Sequence, residues 1–110
     1  EFKVHTLIKG RGDIVKKGQI VTLHYSGFLY ESGNVFDSSW DKGQPTQFAL
    51  ADGQLIPGFI KALEGQTVGS QVIAIVPPSD GYGNQEQGSI PANSTLIFVV
   101  DILGTNNKTN

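Results

Sequence analysis

The sequence predicts a single α+β domain in which about five antiparallel strands wrap around one short helix. Its length of 110 residues is that of one domain. Several segments alternate apolar and polar residues as strands do, and 14 glycines suggest many turns. Only residues 56–65 carry both helix start and stop signals. Because such a short helix does not persist alone in water, we expect it to pack against a sheet.

The strands are predicted from alternation and from turn signals. Val21, Leu23 and Tyr25 alternate with polar residues, which places Tyr25 on the apolar face and His24 on the polar face. The predicted strands are, in chain order, residues 2–7, two antiparallel strands within 20–39 around the turn signal at 31–34, residues 46–50, the apolar run 70–78 that two prolines stop, and residues 94–103.

The helix prediction depends on its ends and on one apolar stripe. Pro57 suits the first helical position, where no backbone donor is needed, and Gly65 suits the end. Phe59 and Leu63 are four residues apart and share one face. This helix therefore has an apolar side for a sheet to cover.

Residues 76–94 have little periodicity, and loops of this length are usually functional or disordered. Tyr82 and Ile90 are apolar residues in an otherwise polar loop. Each can anchor the loop by packing or take part in binding, and both alternatives stay open at this point.

Composition excludes several classes of function. The net charge of −2 argues against nucleic acid as a partner. No apolar run approaches the roughly 20 residues that a membrane helix needs. The chain has no cysteine, and its two histidines, His5 and His24, have no second ligand at metal spacing. We therefore expect surface histidines, no metal and no cofactor.

The chain also lacks methionine, even at position 1, so we expect a processed chain or a fragment. Any signal or anchor would lie outside it, and the compartment, cytoplasmic or exported, stays open. Residues 105–110 are predicted to be a polar tail after a domain at 1–104.

No catalytic constellation is visible. Residues 39–42 match S-x-x-K, but the companion motifs of those acyl-transfer enzymes are absent. Aromatic and branched residues at segment ends favour an apolar binding pocket instead. The alternative that they are all core residues is strongest for Phe48 and Phe98. The set is Tyr25, Phe36, Phe48, Leu55, Ile56, Phe59, Tyr82, Ile90 and Phe98.

Five motifs occur in order along the chain: VTLHYSGFL, FDSSWDKGQPTQFAL, GQLIPGFIKALEGQTVGS, PPSDGYG and SIPANSTLIFVVDIL. Together they resemble the FKBP-type peptidyl-prolyl cis-trans isomerases, macrolide-binding immunophilins, in their bacterial single-domain type. The resemblance runs from about Gly18 to Leu103 and implies a five-stranded antiparallel sheet around a short helix.

The resemblance also implies a pocket, residue by residue. In it the Ile56 N–H donates to a ligand carbonyl, and Asp37 accepts from the Tyr25 hydroxyl. The residues implied in catalysis are Tyr25, Phe36, Asp37, Phe59, Tyr82 and Phe98. Those implied in substrate binding are Thr46, Phe48, Leu55, Ile56 and Ile90.

Three positions depart from the family pattern. Phe59 stands where tryptophan is common, Thr46 where another aromatic is common, and Lys42 replaces an arginine that can clamp the acidic residue. These departures bear on ligand affinity and sequence preference more than on the class of activity.

The activity implied is acceleration of Xaa-Pro bond rotation in an apolar pocket, by desolvation and complementarity to the twisted amide, to assist protein folding. The implied partners are proline-containing peptides or unfolded proteins and rapamycin-type macrolides, with the chain a monomer. The alternative is a binding module for the same partners with weak turnover.

One conflict leads to a structural prediction. Phe36 and Asp37 would face opposite ways in a regular strand, yet the resemblance places both at the pocket. We therefore predict a bulge or bend near residues 36–39.

Overall fold

The computed structural model describes residues 1–107. In this part of the chain the backbone forms six strands, one α-helix and one 3-10 turn at Pro78–Asp80, which confirms the predicted fold class. The elements are β1 (Lys3–Ile8), β2 (Ile20–Leu29), β3 (Val35–Ser38), β4 (Thr46–Ala49), α1 (Pro57–Leu63), β5 (Gln71–Val76) and β6 (Leu96–Asn106).

All strand pairs are antiparallel, in the order β1-β5-β6-β2-β3, and β4 also pairs with β2. Because β6 pairs with β2 from Ile20 to Leu29, it occupies one edge of β2 completely. On the other edge β4 pairs with residues 20–23 and β3 with residues 26–28. The six segments therefore fill five positions, and the outermost position is divided between β3 and β4.

The core lies between the inner face of the sheet and α1. Alternate residues of β2, β5 and β6 are buried, which confirms the period of two in the sequence. The helix packs against β5, and Gly58 permits that contact. A Cβ at Gly58 would lie 2.4 Å from Cγ1 of Val76, so a side chain there would push the helix off the sheet.

The helix ends confirm the signals in the sequence. Ile56 is the residue before the first turn, Pro57 opens the helix, and Gly65 follows it at a φ of +88°. Only glycine adopts this left-handed conformation without strain.

The predicted polar tail begins too early. Thr105 and Asn106 belong to β6 and lie opposite Val21 and Ile20 of β2. A polar sequence continues as a strand here because its backbone groups pair with β2, whatever its side chains are. Residues 108–110 of the predicted tail lie outside the described residues.

The long loop after β5 is tied to its surroundings. The 3-10 turn at its start carries Asp80, whose carboxylate lies 2.8 Å from the ammonium of Lys61 on α1. Further on, the N–H of Asn93 donates to the carbonyl of Gly83 at 2.8 Å. The loop is therefore a folded flap beside the helix.

Candidate functional site

A cavity of about 470 Å³ opens between α1, the inner face of β2 and β6, and the loops around them. Nine of the eleven residues predicted for the site line it, together with Gly53 and Gln54, which sequence reasoning missed. The nine are Tyr25, Phe36, Asp37, Phe48, Leu55, Ile56, Phe59, Tyr82 and Phe98.

The floor of the cavity is Phe59, which α1 holds with only 4% of its surface exposed. Its ring meets those of Tyr25, Phe48 and Phe98 at centroid distances of 6.0, 5.9 and 5.0 Å. The interplanar angles of 81°, 76° and 87° are edge-to-face contacts, the arrangement that aromatic quadrupoles favour. Four elements thus supply one interlocked aromatic wall.

Two predicted residues do not line the cavity. Thr46 opens β4 opposite Leu23, and its short side chain does not reach the ligand space. Ile90 is 4% exposed and packs into the hydrophobic core. For Ile90 the structure thus favours a loop-packing anchor, whereas Tyr82 of the same loop is half-buried and lines the cavity.

The predicted bulge is confirmed. Asp37 lies opposite Gly27 and Val35 lies opposite Phe28, so Phe36 has no partner on β2. This extra residue lets Phe36 and Asp37 line the same cavity. Gly27 makes room for it, because a Cβ there would lie 2.6 Å from Cζ of Phe36.

The polar edge of the cavity is built around Asp37. The Tyr25 hydroxyl donates to Oδ2 of Asp37. The Ser38 N–H donates to Oδ1 at 2.9 Å, and the Lys42 ammonium lies 3.2 Å from the same oxygen. Both carboxylate oxygens therefore have donors, and the lysine makes a single contact where an arginine could make two.

These contacts set the protonation states of the edge. Burial raises the pKa of Asp37, but the donors on Tyr25, Lys42 and Ser38 outweigh it, so the net pKa lies below its ordinary value. Burial and the neighbouring Asp37 raise the pKa of both Tyr25 and Tyr82. At neutral pH the carboxyl is charged and the phenols are protonated. No group at this edge is therefore poised to exchange a proton.

The lowered pKa of Asp37 predicts a pH dependence of stability. The folded carboxyl ionises below the ordinary value of about 3.9, so its contribution is present above that pH and is lost as pH falls through the folded value. The stability difference between wild type and Asp37→Asn should therefore shrink below about pH 4. Denaturant titrations over a pH series measure it, and a difference independent of pH would contradict the prediction.

Ile56 has an unengaged backbone donor at the cavity. Ile56 lines the cavity just before α1, and its carbonyl accepts from Phe59 and Ile60. Among the described residues its N–H donates to no backbone or side-chain acceptor. This group can hold a ligand carbonyl, because the first N–H groups of a helix have no partner within it.

His24 differs from the sequence prediction, which made both histidines surface residues. His5 is exposed, but His24 is half-buried. The indole of Trp40 stacks on its ring at 3.7 Å between centroids and 12° between planes. The turn that follows β3 brings Trp40 back over β2, and periodicity cannot reveal such a contact.

A second cavity of about 370 Å³ lies between residues 29–32 and 91–95. Tyr30 is the single aromatic residue among those that line it, and 60% of its surface is exposed. The aromatic cavity is therefore the candidate site. Within residues 1–107, no three His, Cys, Asp or Glu side chains come together to hold a metal ion. The same residues include no helix that is long and apolar enough to cross a membrane.

Comparison with known proteins agrees with the fold. The family model described as FKBP-type peptidyl-prolyl cis-trans isomerase matches residues 12–103. The chain therefore belongs to the FKBP-type peptidyl-prolyl cis-trans isomerase family.

The chain is similar to two curated relatives. It is 44% identical to FK506-binding protein 2 of Yarrowia lipolytica over 93 residues, and this aligned segment covers 84% of the chain and 64% of the relative. It is 40% identical to FK506-binding protein 2 of Gibberella zeae over 89 residues, and this aligned segment covers 81% of the chain and 46% of the relative. The chain thus spans about half to two thirds of the length of these relatives.

Among solved structures the fold is similar to FkpA from Escherichia coli. The TM-score is 0.89 at 33% sequence identity, over 96% of this chain and 48% of that chain. The described strands and helix thus have the same arrangement as the matching part of that structure.

Proposed function

We propose that this domain accelerates cis-trans rotation of Xaa-Pro bonds in the aromatic cavity and so assists protein folding. The observation that supports this most directly is that a wall of aromatic rings lies beside an unengaged donor, the Ile56 N–H. The cavity edge supplies no nucleophile and no group poised for proton transfer, and this reaction needs neither.

Desolvation of the substrate amide is one source of acceleration. Resonance sets the rotation barrier at about 18–20 kcal/mol and makes the planar amide more dipolar than the twisted one. An apolar cavity therefore penalises the planar ground state more than the transition state. Each 1.36 kcal/mol of that difference gives about tenfold in rate.

Complementarity to the twisted amide is the second source. The Ile56 N–H holds one substrate carbonyl in register while the proline ring packs on Phe59. Tyr82 covers the cavity from the flap, and Asp37 keeps the Tyr25 hydroxyl oriented without exchanging a proton. Ile90 acts indirectly by anchoring that flap, and Thr46 leaves one side of the cavity open to the residues next to proline.

The assay that tests this proposal follows an Xaa-Pro peptide by exchange spectroscopy or protease coupling, with and without a rapamycin-type macrolide. We expect acceleration that the macrolide abolishes, and no acceleration would overturn the enzyme proposal. Tyr82→Ala should lower the rate, while Tyr30→Ala, an exposed tyrosine outside this cavity, should not. Full activity in a Phe59→Ala, Tyr82→Ala double variant would overturn the proposed site.

A binding module with weak turnover is the alternative function. Two observations favour it: Phe59 gives a smaller floor than tryptophan, and Thr46 does not close the wall. In that case the domain binds macrolides or proline-containing partners and accelerates Xaa-Pro rotation only weakly. We propose a monomer, which a concentration series in light scattering would test.

Gly27→Ala offers a test of the cavity wall that removes no core side chain. The new Cβ would lie 2.6 Å from Cζ of Phe36, so the half-buried ring must swing away. We expect weaker macrolide binding and slower isomerisation. Because Phe36 has solvent beside it, the thermal midpoint should fall by only a few degrees. Isothermal titration and melting curves measure both, and unchanged binding would contradict this prediction.

A further inference from the structure

The Tyr25–Asp37 pair at the cavity edge is connected to a fully buried serine. Ser39 is 0% exposed. Its hydroxyl accepts from the Tyr25 N–H at 2.7 Å, donates to the Tyr25 carbonyl at 3.3 Å, and lies 2.8 Å from Nδ1 of His24. The Ser39 N–H donates to the same Tyr25 carbonyl at 2.9 Å. One serine thus engages both backbone groups of Tyr25.

The pattern of these bonds departs from a regular antiparallel ladder. Opposite residues of a hydrogen-bonded pair exchange two N–H···O=C bonds. Here the Ser39 N–H makes its bond to Tyr25, but the return bond from the Tyr25 N–H goes to the Ser39 hydroxyl. The Ser39 carbonyl is thereby free and accepts from the Lys42 N–H at 3.1 Å.

That freed carbonyl turns the chain. The turn from Ser39 to Lys42 follows the end of β3 and leads the chain toward β4, which begins at Thr46 on the same edge of β2. It also returns Lys42 toward β3, where its ammonium lies 3.2 Å from Oδ1 of Asp37. The Ser39 hydroxyl therefore replaces the Ser39 carbonyl as the acceptor of the Tyr25 N–H. The contacts that Tyr25 and Lys42 make to the two carboxylate oxygens of Asp37 both depend on this replacement.

We propose that Ser39 is a positioning residue that sets the Tyr25–Asp37–Lys42 arrangement at the cavity edge. It acts in two ways: it holds the Tyr25 backbone so that the hydroxyl meets Asp37, and it releases the carbonyl that turns Lys42 back. Its effect on catalysis rests on the proposed isomerase function, whereas its effect on the edge does not.

Loss of the hydroxyl forces a choice between these bonds. In Ser39→Ala the buried Tyr25 N–H either stays unpaired or takes the Ser39 carbonyl from Lys42. In the first case the Tyr25 backbone is no longer held in place, and in the second the Lys42 ammonium moves away from Asp37. In both, Asp37 loses a donor that favours its charged form, so its titration should move up toward the ordinary value.

Ser70→Ala is a matched control. Ser70 is also buried, at 1% exposed, and its hydroxyl accepts from the Gly10 N–H at 2.9 Å and lies 2.7 Å from Oγ1 of Thr67. It thus holds a comparable buried network, and none of these partners lines the aromatic cavity. Both alanine variants should lower the thermal midpoint.

The test is the carboxyl titration of Asp37 by carbon NMR in wild type and in both variants, with Xaa-Pro kinetics alongside. Ser39→Ala should raise the Asp37 midpoint and lower kcat/KM about tenfold, mainly through kcat, as 1.36 kcal/mol of lost transition-state stabilisation gives. Ser70→Ala should leave the Asp37 midpoint and kcat/KM unchanged.

An unchanged Asp37 midpoint in Ser39→Ala, or an equal rise in Ser70→Ala, overturns the proposal. If Ser39→Ala does not fold, Ser39→Cys replaces it, because a thiol has a similar shape but is a weak hydrogen-bonding group. Ser39→Cys should then raise the Asp37 midpoint in the same way, and an unchanged midpoint would again contradict the proposal. A wild type without isomerase activity would refute the proposed function, while the titration would still decide the role of Ser39.

Discussion

Replacing Phe59 with alanine is expected to cost about 3–5 kcal/mol in the free energy of unfolding and to abolish isomerase activity. Phe59 is 4% exposed and meets the rings of Tyr25, Phe48 and Phe98 edge to face. Its removal deletes the floor, merges the new void with the ligand cavity and frees the remaining rings from their mutual contacts.

Denaturant unfolding and the Xaa-Pro assay measure the two effects of Phe59→Ala separately. Phe59→Leu restores much of the apolar volume, so it should recover most of the stability but only part of the activity. Phe2→Ala is a control for losing a partly buried ring outside the cavity, and it should lower stability without lowering activity. Wild-type activity in Phe59→Ala would show that the floor is not where proline packs.

Replacing Gly58 with alanine sets two effects of opposite sign against each other. Alanine in place of glycine favours a helix by about 1 kcal/mol. The added Cβ, however, would lie 2.4 Å and 2.9 Å from the two methyl carbons of Val76 and 3.1 Å from the Asp80 carbonyl. Overpacking of this kind costs typically about 1–3 kcal/mol, occasionally more. We therefore expect net destabilisation and a shift of α1 away from β5.

That shift would also move Phe59 and the Ile56 N–H, so the activity of Gly58→Ala should fall with its stability. Gly104→Ala is the matched control, because a Cβ there has nothing within 4 Å, and it should be nearly neutral. Val76→Ala combined with Gly58→Ala should cost less than the sum of the single changes. A Gly58→Ala variant more stable than wild type would mean that helix propensity outweighs the contact.

Local patterns in the sequence determined most of the architecture of this domain. Alternation of apolar residues predicted the core face of β2, and Pro57 with Gly65 predicted the two ends of α1, because periodicity and backbone preference act within a few residues. The resemblance in motif order then indicated nine residues that the structure brings around one cavity. A bulge near residues 36–39 also followed from that resemblance, which placed both Phe36 and Asp37 at the pocket, and the structure has it at Phe36.

Only the tertiary structure decided the features that depend on distant pairing. Thr105 and Asn106 extend β6 because β2 is opposite them, and β3 and β4 share one sheet position because β6 fills the other edge of β2. Ile90 turned inward while Tyr82 faced the cavity, although both are apolar residues of one loop. The hydroxyl of Ser39 took the place of its carbonyl at Tyr25. Strand register and burial depend on residues far apart in the chain, so no local pattern carries them.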